Sequence, residues 1–152
     1  MFGLFKRKPE RYFSEKEKEQ ILSAIQHAEK RTSGEVRIFI ENRCRFVNPL
    51  MRAKEIFYAL KMTETAEKNA VLVYVAMKDR QLAVYGDEGI HSKVGDAFWN
   101  REVDKMLSHF NAENYAEGIS QIIHEVGEAL ATHFPFDGHT DKNELPDEIV
   151  FG

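Results

Sequence analysis

Ala70-Val-Leu-Val-Tyr-Val-Ala-Met77 decides the fold. It is an unbroken apolar run of strand length, rich in β-branched residues, and such runs belong to strands covered on both faces. Lys78-Asp79-Arg80 turns the chain. Gln81-Leu-Ala-Val-Tyr-Gly86 then returns it, so residues 70–86 read as an antiparallel hairpin. Upstream, Glu35-Val-Arg-Ile-Phe-Ile-Glu41 sets Val36, Ile38 and Ile40 against Arg37, Phe39 and Glu41, the period of two of a strand. Between the two lies a helix start, Asn48-Pro49, with an N-cap and then proline in the first turn. Leu50, Ala53, Phe57 and Leu60 mark its apolar face, with Ile56 beside them. Strand, helix, strand across 35–77 predicts a right-handed crossover with parallel pairing.

The flanks are helical. Ser14 and Glu17 have the spacing of a capping box, Ile21, Leu22, Ile25 and Ala28 share one face, and Gly34 reads as the stop. Trp99, Val103, Met106 and Phe110 form a stripe that ends near Asn111. Asn114 with Glu117 restarts a helix carrying Tyr115, Ile119, Ile122, Val126 and Leu130. The layout is α-β-α-β-β-α-α. Helices this apolar on one side must cover a sheet, which predicts an α/β fold, a three-layer α/β/α sandwich with a small mixed β-sheet. Residues 1–12 read as a loose basic arm, 13–134 as the α/β domain, and 135–152, with Pro135, Gly138, Pro146 and many acids, as an irregular acidic tail.

Composition bounds the function. A chain of 152 residues is one domain long and large enough to bury a core without staples. The lone Cys44 makes no internal disulfide, which fits a reducing, cytoplasmic compartment. No apolar run approaches the ~18 residues that span a bilayer. Met1–Phe5 precedes Lys6-Arg7-Lys8, the reverse of a secretory signal. Phe2, Leu4 and Phe5 with those bases suit peripheral contact at an inner membrane surface but are too few to anchor it firmly. The net charge of −4 divides into +6 over residues 1–54 and −10 over 55–152. No stacked-aromatic motif or zinc-finger spacing accompanies the basic half, so a nucleic-acid partner is not expected.

Gly86-Asp87-Glu88-Gly89 is the leading candidate site. It follows a strand and opens a helix, at what the crossover reading takes to be the carboxyl rim, where α/β sheets bind ligands. Asp87 and Glu88 offer oxygens to Ca²⁺ or Mg²⁺, Asp79 in the hairpin turn offers another, and His91 lies two residues past Gly89. The plainer reading is a solvated turn with acids at a helix N-terminus. Six positions on from Cys44 stands Leu50, so no cysteine-phosphatase loop exists. D-x-D-x-[TV], G-x-x-x-x-G-K-[ST] and G-x-S-x-G are all missing. His133, Asp137, His139 and Asp141 offer imidazole and carboxylate ligands in the tail without a metal-site spacing.

Thr32-Ser-Gly-Glu-Val36, Lys68-Asn-Ala-Val-Leu-Val-Tyr-Val-Ala76, Gly86-Asp-Glu-Gly-Ile90, Phe98-Trp99 and Asn114-Tyr-Ala-Glu-Gly118 occur in an order that resembles the TPM domain family. That family is named after a thylakoid lumen protein, a photosystem II assembly protein and a worm receptor modulator. The likeness covers roughly residues 13–134 and is greatest to a compact bacterial branch ending in His-Phe-Pro, here His133-Phe134-Pro135. It implies an α/β/α sandwich. It also implies either acid phosphatase activity with divalent-metal binding, as assigned to a plant member, or a role in assembly and interaction, often at membranes. Many members carry an Asp near the domain start and another before the second strand. This chain has Arg11-Tyr-Phe-Ser14 and Lys68 there, a departure from the family's metal site. The first expectation is therefore a non-catalytic binding or assembly module with a protein partner, membrane-associated complexes included. The alternative is a divalent-metal-dependent, acid phosphatase-like hydrolase of phosphate monoesters.

Overall fold

Every residue of Ala70–Ala76 is buried, as coverage from both sides requires. The computed structural model describes residues 8–45, 48–136 and 149–152. In chain order the elements are α1 (Glu15–Glu29), β1 (Glu35–Glu41), α2 (Pro49–Ala59), β2 (Ala70–Ala76), β3 (Gln81–Gly86), α3 (Glu88–Asn111), α4 (Tyr115–His133) and β4 (Ile149–Phe151). The sheet runs β3-β2-β1-β4. β1 and β2 are parallel, from Glu35 opposite Ala70 to Glu41 opposite Ala76, and β2 and β3 are antiparallel, with Val73 opposite Val84. Alternation sends Val36, Ile38, Val71, Val73 and Val84 to the face packed by α1, α3 and α4, and Leu72, Tyr74 and Ala83 to the face packed by α2. The expected α/β/α sandwich with a mixed sheet is the architecture observed.

β4 is the strand that the layout lacked. It lies in the stretch read as irregular, pairs parallel with β1 from Ile38 opposite Ile149, and continues as Gly152 N–H donates to the Ile40 carbonyl at 2.8 Å. Three residues are too short for any period to show. Pro9–Tyr12, read with the arm, form a 3₁₀ turn with Pro9 buried. Phe2, Leu4, Phe5, Lys6 and Arg7 lie outside the described residues, as do Asp137, His139 and Asp141. Among the described residues no helix is long and apolar enough to cross a membrane.

Local signals acted as expected at some helix ends and not at others. The Ser14–Glu17 capping box is closed in both directions, and Asn48 Oδ1 accepts the Leu50 N–H at 2.9 Å. Asn114 holds the N-cap position without a side-chain cap bond; its N–H donates to the His109 carbonyl at 2.8 Å, and Glu117 accepts from Gln20 Nε2 at 3.2 Å. Gly34 does not end α1, which stops at Glu29; its hydrogen lies where a Cβ would come within 2.8 Å of Leu130 Cδ2. Ala53, Ile56 and Phe57 form the buried face of α2, whereas Leu50 is exposed. α3 bends at Gly95, whose φ of 77° is left-handed and needs glycine.

Glu102 of α3 is buried against α4, with Lys105 Nζ 3.6 Å from its Oε2 and 2.5 Å from Glu125 Oε1. Among the described residues its Oε1 has no hydrogen-bond partner. Burial first, and then the Glu125 charge, hold this carboxyl above its ordinary value.

Two outcomes follow from this packing. At Gly89 a Cβ would land inside the carbonyl oxygens of Glu67 and Lys68, whereas the space around Gly95 is empty. Gly89→Ala should cost about 1–3 kcal/mol by overpacking, and Gly95→Ala about 1–2 kcal/mol by torsion alone, both read from urea unfolding. For Glu102, the folded chain holds the proton more tightly than the unfolded one. Its contribution is therefore greatest below the unfolded value and declines as pH rises through the folded one. Glu102→Gln should melt above the parent at about pH 7, with the gap closing toward about pH 4 in a series of thermal melts.

Candidate functional site

β3 is an edge strand, and its hydrogen-bond phase determines what that edge presents. Asp87 N–H donates to the Ala70 carbonyl at 2.9 Å, which makes residues 87 and 70 a hydrogen-bonded pair. Antiparallel pairs alternate, so Tyr85, Ala83 and Gln81 also bond to β2, while the N–H and C=O groups of Leu82, Val84 and Gly86 turn away from the sheet. All five residues from Leu82 to Gly86 line one groove of about 840 Å³. Side chains from opposite sheet faces meet one hollow only if it runs along the edge itself. Pro49, Leu50 and Tyr58 at α2 form one wall, and His91, Trp99 and Val103 of α3 form the other. Leu82, Ala83 and Val84 are buried, so the strand is the groove's floor and not its lip. Leu50, Met51 and Tyr58 are three of the four large exposed hydrophobic side chains among the described residues, and all three sit on α2.

The loop 86–91 closes one end of this groove, with Gly86, Asp87, Glu88 and His91 in its lining. Because β3 runs against β2, the loop sits at the amino-terminal end of the parallel strands, beside Ala70 and Val71. The carboxyl-rim placement expected from the crossover pattern is thus reversed. Asp87 caps α3: one oxygen accepts the Glu88 N–H at 2.8 Å, and Oδ2 is buried with no hydrogen-bond partner among the described residues. Gly86 lies against the Trp99 indole, and Gly89 packs on the Glu67 and Lys68 carbonyls, so both glycines serve close approach. Trp99 Nε1–H donates to His91 Nδ1 at 2.9 Å. An accepting Nδ1 puts the proton of a neutral imidazole on Nε2, which lies 3.5 Å from Asp96 Oδ1. In the α2-side wall, the Tyr85 phenol is raised to about 12, by burial first, then by its hydrogen bond with Tyr58 and the charges of Asp87 and Glu88.

Asp79 stands elsewhere. It occupies the hairpin turn at the other end of β3, about 20 Å of strand away from Asp87. Its Oδ2 accepts the Cys44 N–H at 2.8 Å and its Oδ1 lies 3.5 Å from Arg43 Nη1. The structure brings Asp87, Glu88 and His91 together and leaves Asp79 out. Among the described residues no group of three or more His, Cys, Asp or Glu is placed to hold a metal ion. Near Asp79, at the true carboxyl rim, Glu41 accepts from Arg52 Nε at 2.9 Å and Nη2 at 3.0 Å and from the Tyr74 hydroxyl. Arg52 also pairs with Glu55 and lies 5.9 Å from the Phe39 ring centre. The bond to Glu41, above all, raises the Arg52 pKa; burial, then Glu41, raises that of Tyr74. This latch ties α2 to β1. The sequence reading missed it because a strand-end Glu and a helical Arg eleven residues apart carry no motif.

A family model described as the TPM domain matches residues 7–129. The NMR structure of the BA42 protein from the psychrophilic bacterium Bizionia argentinensis is similar with a TM-score of 0.83 and 37% identity, over 92% of this chain and 95% of that one. Two N-terminal domains share the fold. One, from Corynebacterium glutamicum, has a TM-score of 0.61 and 15% identity over 78% of this chain and 74% of that one. The other, from P. gingivalis, has a TM-score of 0.64 and 20% identity over 84% and 83%. No curated protein matches the chain.

Proposed function

The chain belongs to the TPM domain family, and from that premise we propose that it is a non-catalytic binding module whose docking surface is the groove along β3. One observation carries this reading: an edge strand without a neighbour among the described residues floors a groove whose α2 wall exposes Leu50 and Tyr58. Exposed apolar side chains gathered beside a recess are the usual mark of a protein-binding surface. The partner is a protein. A cytoplasmic placement at the inner membrane surface, with the basic Lys6-Arg7-Lys8 run toward anionic lipid, would bring membrane-associated complexes within reach.

The rival reading, a phosphatase using Ca²⁺ or Mg²⁺, draws on the unpaired Oδ2 of Asp87 beside Glu88. Its third proposed ligand, Asp79, is committed to Cys44 at the far end of the hairpin, and His91 Nδ1 is committed to Trp99. A docking role leaves all of these in place. The test is a photo-crosslinking residue at Tyr58, on the groove wall, compared with one at Lys16, exposed on α1. Discrete protein adducts at position 58 and none at 16 are expected in the producing cell. The same adducts at both sites would refute the groove as the docking surface. p-Nitrophenyl phosphate turnover lost in Asp87→Asn would favour the phosphatase.

A further inference from the structure

Leu82, Val84 and Gly86 point their backbone donors and acceptors into the groove, and no backbone partner for them occurs among the described residues. Buried main-chain groups left unpaired cost free energy, so a ligand that supplies matching donors and acceptors gains it back. Edge strands are commonly protected by proline, an outward lysine or a bulge. Gln81–Gly86 carries no proline or lysine and pairs with β2 without a bulge. Its flanks are α2 and α3, whose residues wall the groove along it.

The charge of the channel is one-sided. Asp87, Glu88, Asp96 and Asp104 line it, and among the described residues the lining contains no Lys or Arg. Asp87 lines the groove, is 8% exposed, and keeps a buried Oδ2 with no hydrogen-bond partner among the described residues. Asp96 and Asp104 are exposed along the α3 rim. The opposite wall is apolar, with Leu50 and Tyr58. A strand entering here would place alternate side chains against these two unlike walls.

Resting on the docking reading above, we propose that the groove takes an extended peptide segment of alternating basic and apolar residues, which adds to β3 as a fifth strand. Main-chain bonds to Leu82, Val84 and Gly86 hold it, its Lys or Arg side chains meet Asp87, Asp96 and Asp104, and its apolar side chains lie on Leu50 and Tyr58. This is strand addition at a sheet edge, in which the backbone supplies affinity and the walls supply selectivity. The opposite edge already shows that this sheet accepts a short added strand, since the three residues of β4 pair with β1 there.

The probe is a capped lysine–valine hexapeptide of strict alternation, titrated to millimolar concentration against the whole ¹⁵N-labelled chain. Saturable shifts at the Leu82, Val84 and Gly86 amides are expected, with slowed hydrogen exchange at the same three. A glutamate–valine peptide should not bind. Two further lysine–valine peptides, N-methylated on one or the other alternate set of amides, separate pairing from charge attraction. One pattern blocks the amides facing β3 and should abolish binding, and the other faces away and should leave it. Asp96→Asn with Asp104→Asn should weaken binding about fivefold, from two exposed charge contacts, with the spectrum otherwise unchanged. Equal binding of both methylated peptides, equal binding of the glutamate peptide, or shifts away from the groove would overturn strand addition. Failure of every peptide while crosslinks persist at Tyr58 would sink strand addition alone; loss of the crosslinks too would sink the docking reading.

Discussion

A strand with water on neither side is the constraint from which the rest of this structure follows. β2 has seven buried residues in succession, so both faces of the sheet must be covered, and covered by different things. Three helices pack one face and α2 packs the other. Hydrophobic burial of this kind is nondirectional. What turns it into one arrangement is the alternation in β1, where Val36, Ile38 and Ile40 go to the three-helix side while Arg37 and Glu41 go to the α2 side. The Glu41–Arg52–Tyr74 latch then fixes α2, the helix that packs on its face of the sheet by itself.

The same constraint explains why the groove is where it is. One helix cannot blanket four strands. α2 lies over β2 and β3, with its first turn and Tyr58 beyond the sheet's edge. From the other layer α3 leaves β3 directly and overhangs the same edge. Two overhangs above and below a terminal strand make a trough with a polar backbone floor. Its acidity follows from local chemistry as well. Asp87 and Glu88 begin a helix, where carboxylates are favoured, so part of the charge has a structural origin before any ligand is considered.

Much of this was legible in the residues. Ala70–Met77 announced a covered strand, Ser14 and Asn48 announced helix starts, and 86–91 was singled out as a loop of interest. Direction was harder to read. The loop follows a strand and opens a helix, the pattern of a parallel unit, yet it follows the antiparallel member of the hairpin and so emerges at the opposite end. Asp79 and Asp87 flank β3 at opposite ends, so their short sequence separation is a full strand's length in space. Leu50 fits an apolar stripe by spacing but lies in the first turn of α2, on the groove wall, and is exposed there. β4 was hidden because three residues beside a run of acids show no pattern, and its place comes entirely from pairing with β1.

The bend in α3 has a mechanical meaning. Residues before Gly95 are bound to the loop that leads into β2 through Ile90 N–H on the Lys68 carbonyl at 3.3 Å, while the longer segment after it packs against α4. A Cβ at Gly95 would meet only open space, but the two segments are tied across it, with Trp99 Nε1–H donating to His91 Nδ1. The bend sits at a left-handed glycine, and the Trp99–His91 bond holds the angle at which the α3 wall faces Tyr58. The clearance of the trough is therefore held by one side-chain bond across a glycine bend, and any change in that bend has to shift Ile90 and Trp99 within the core.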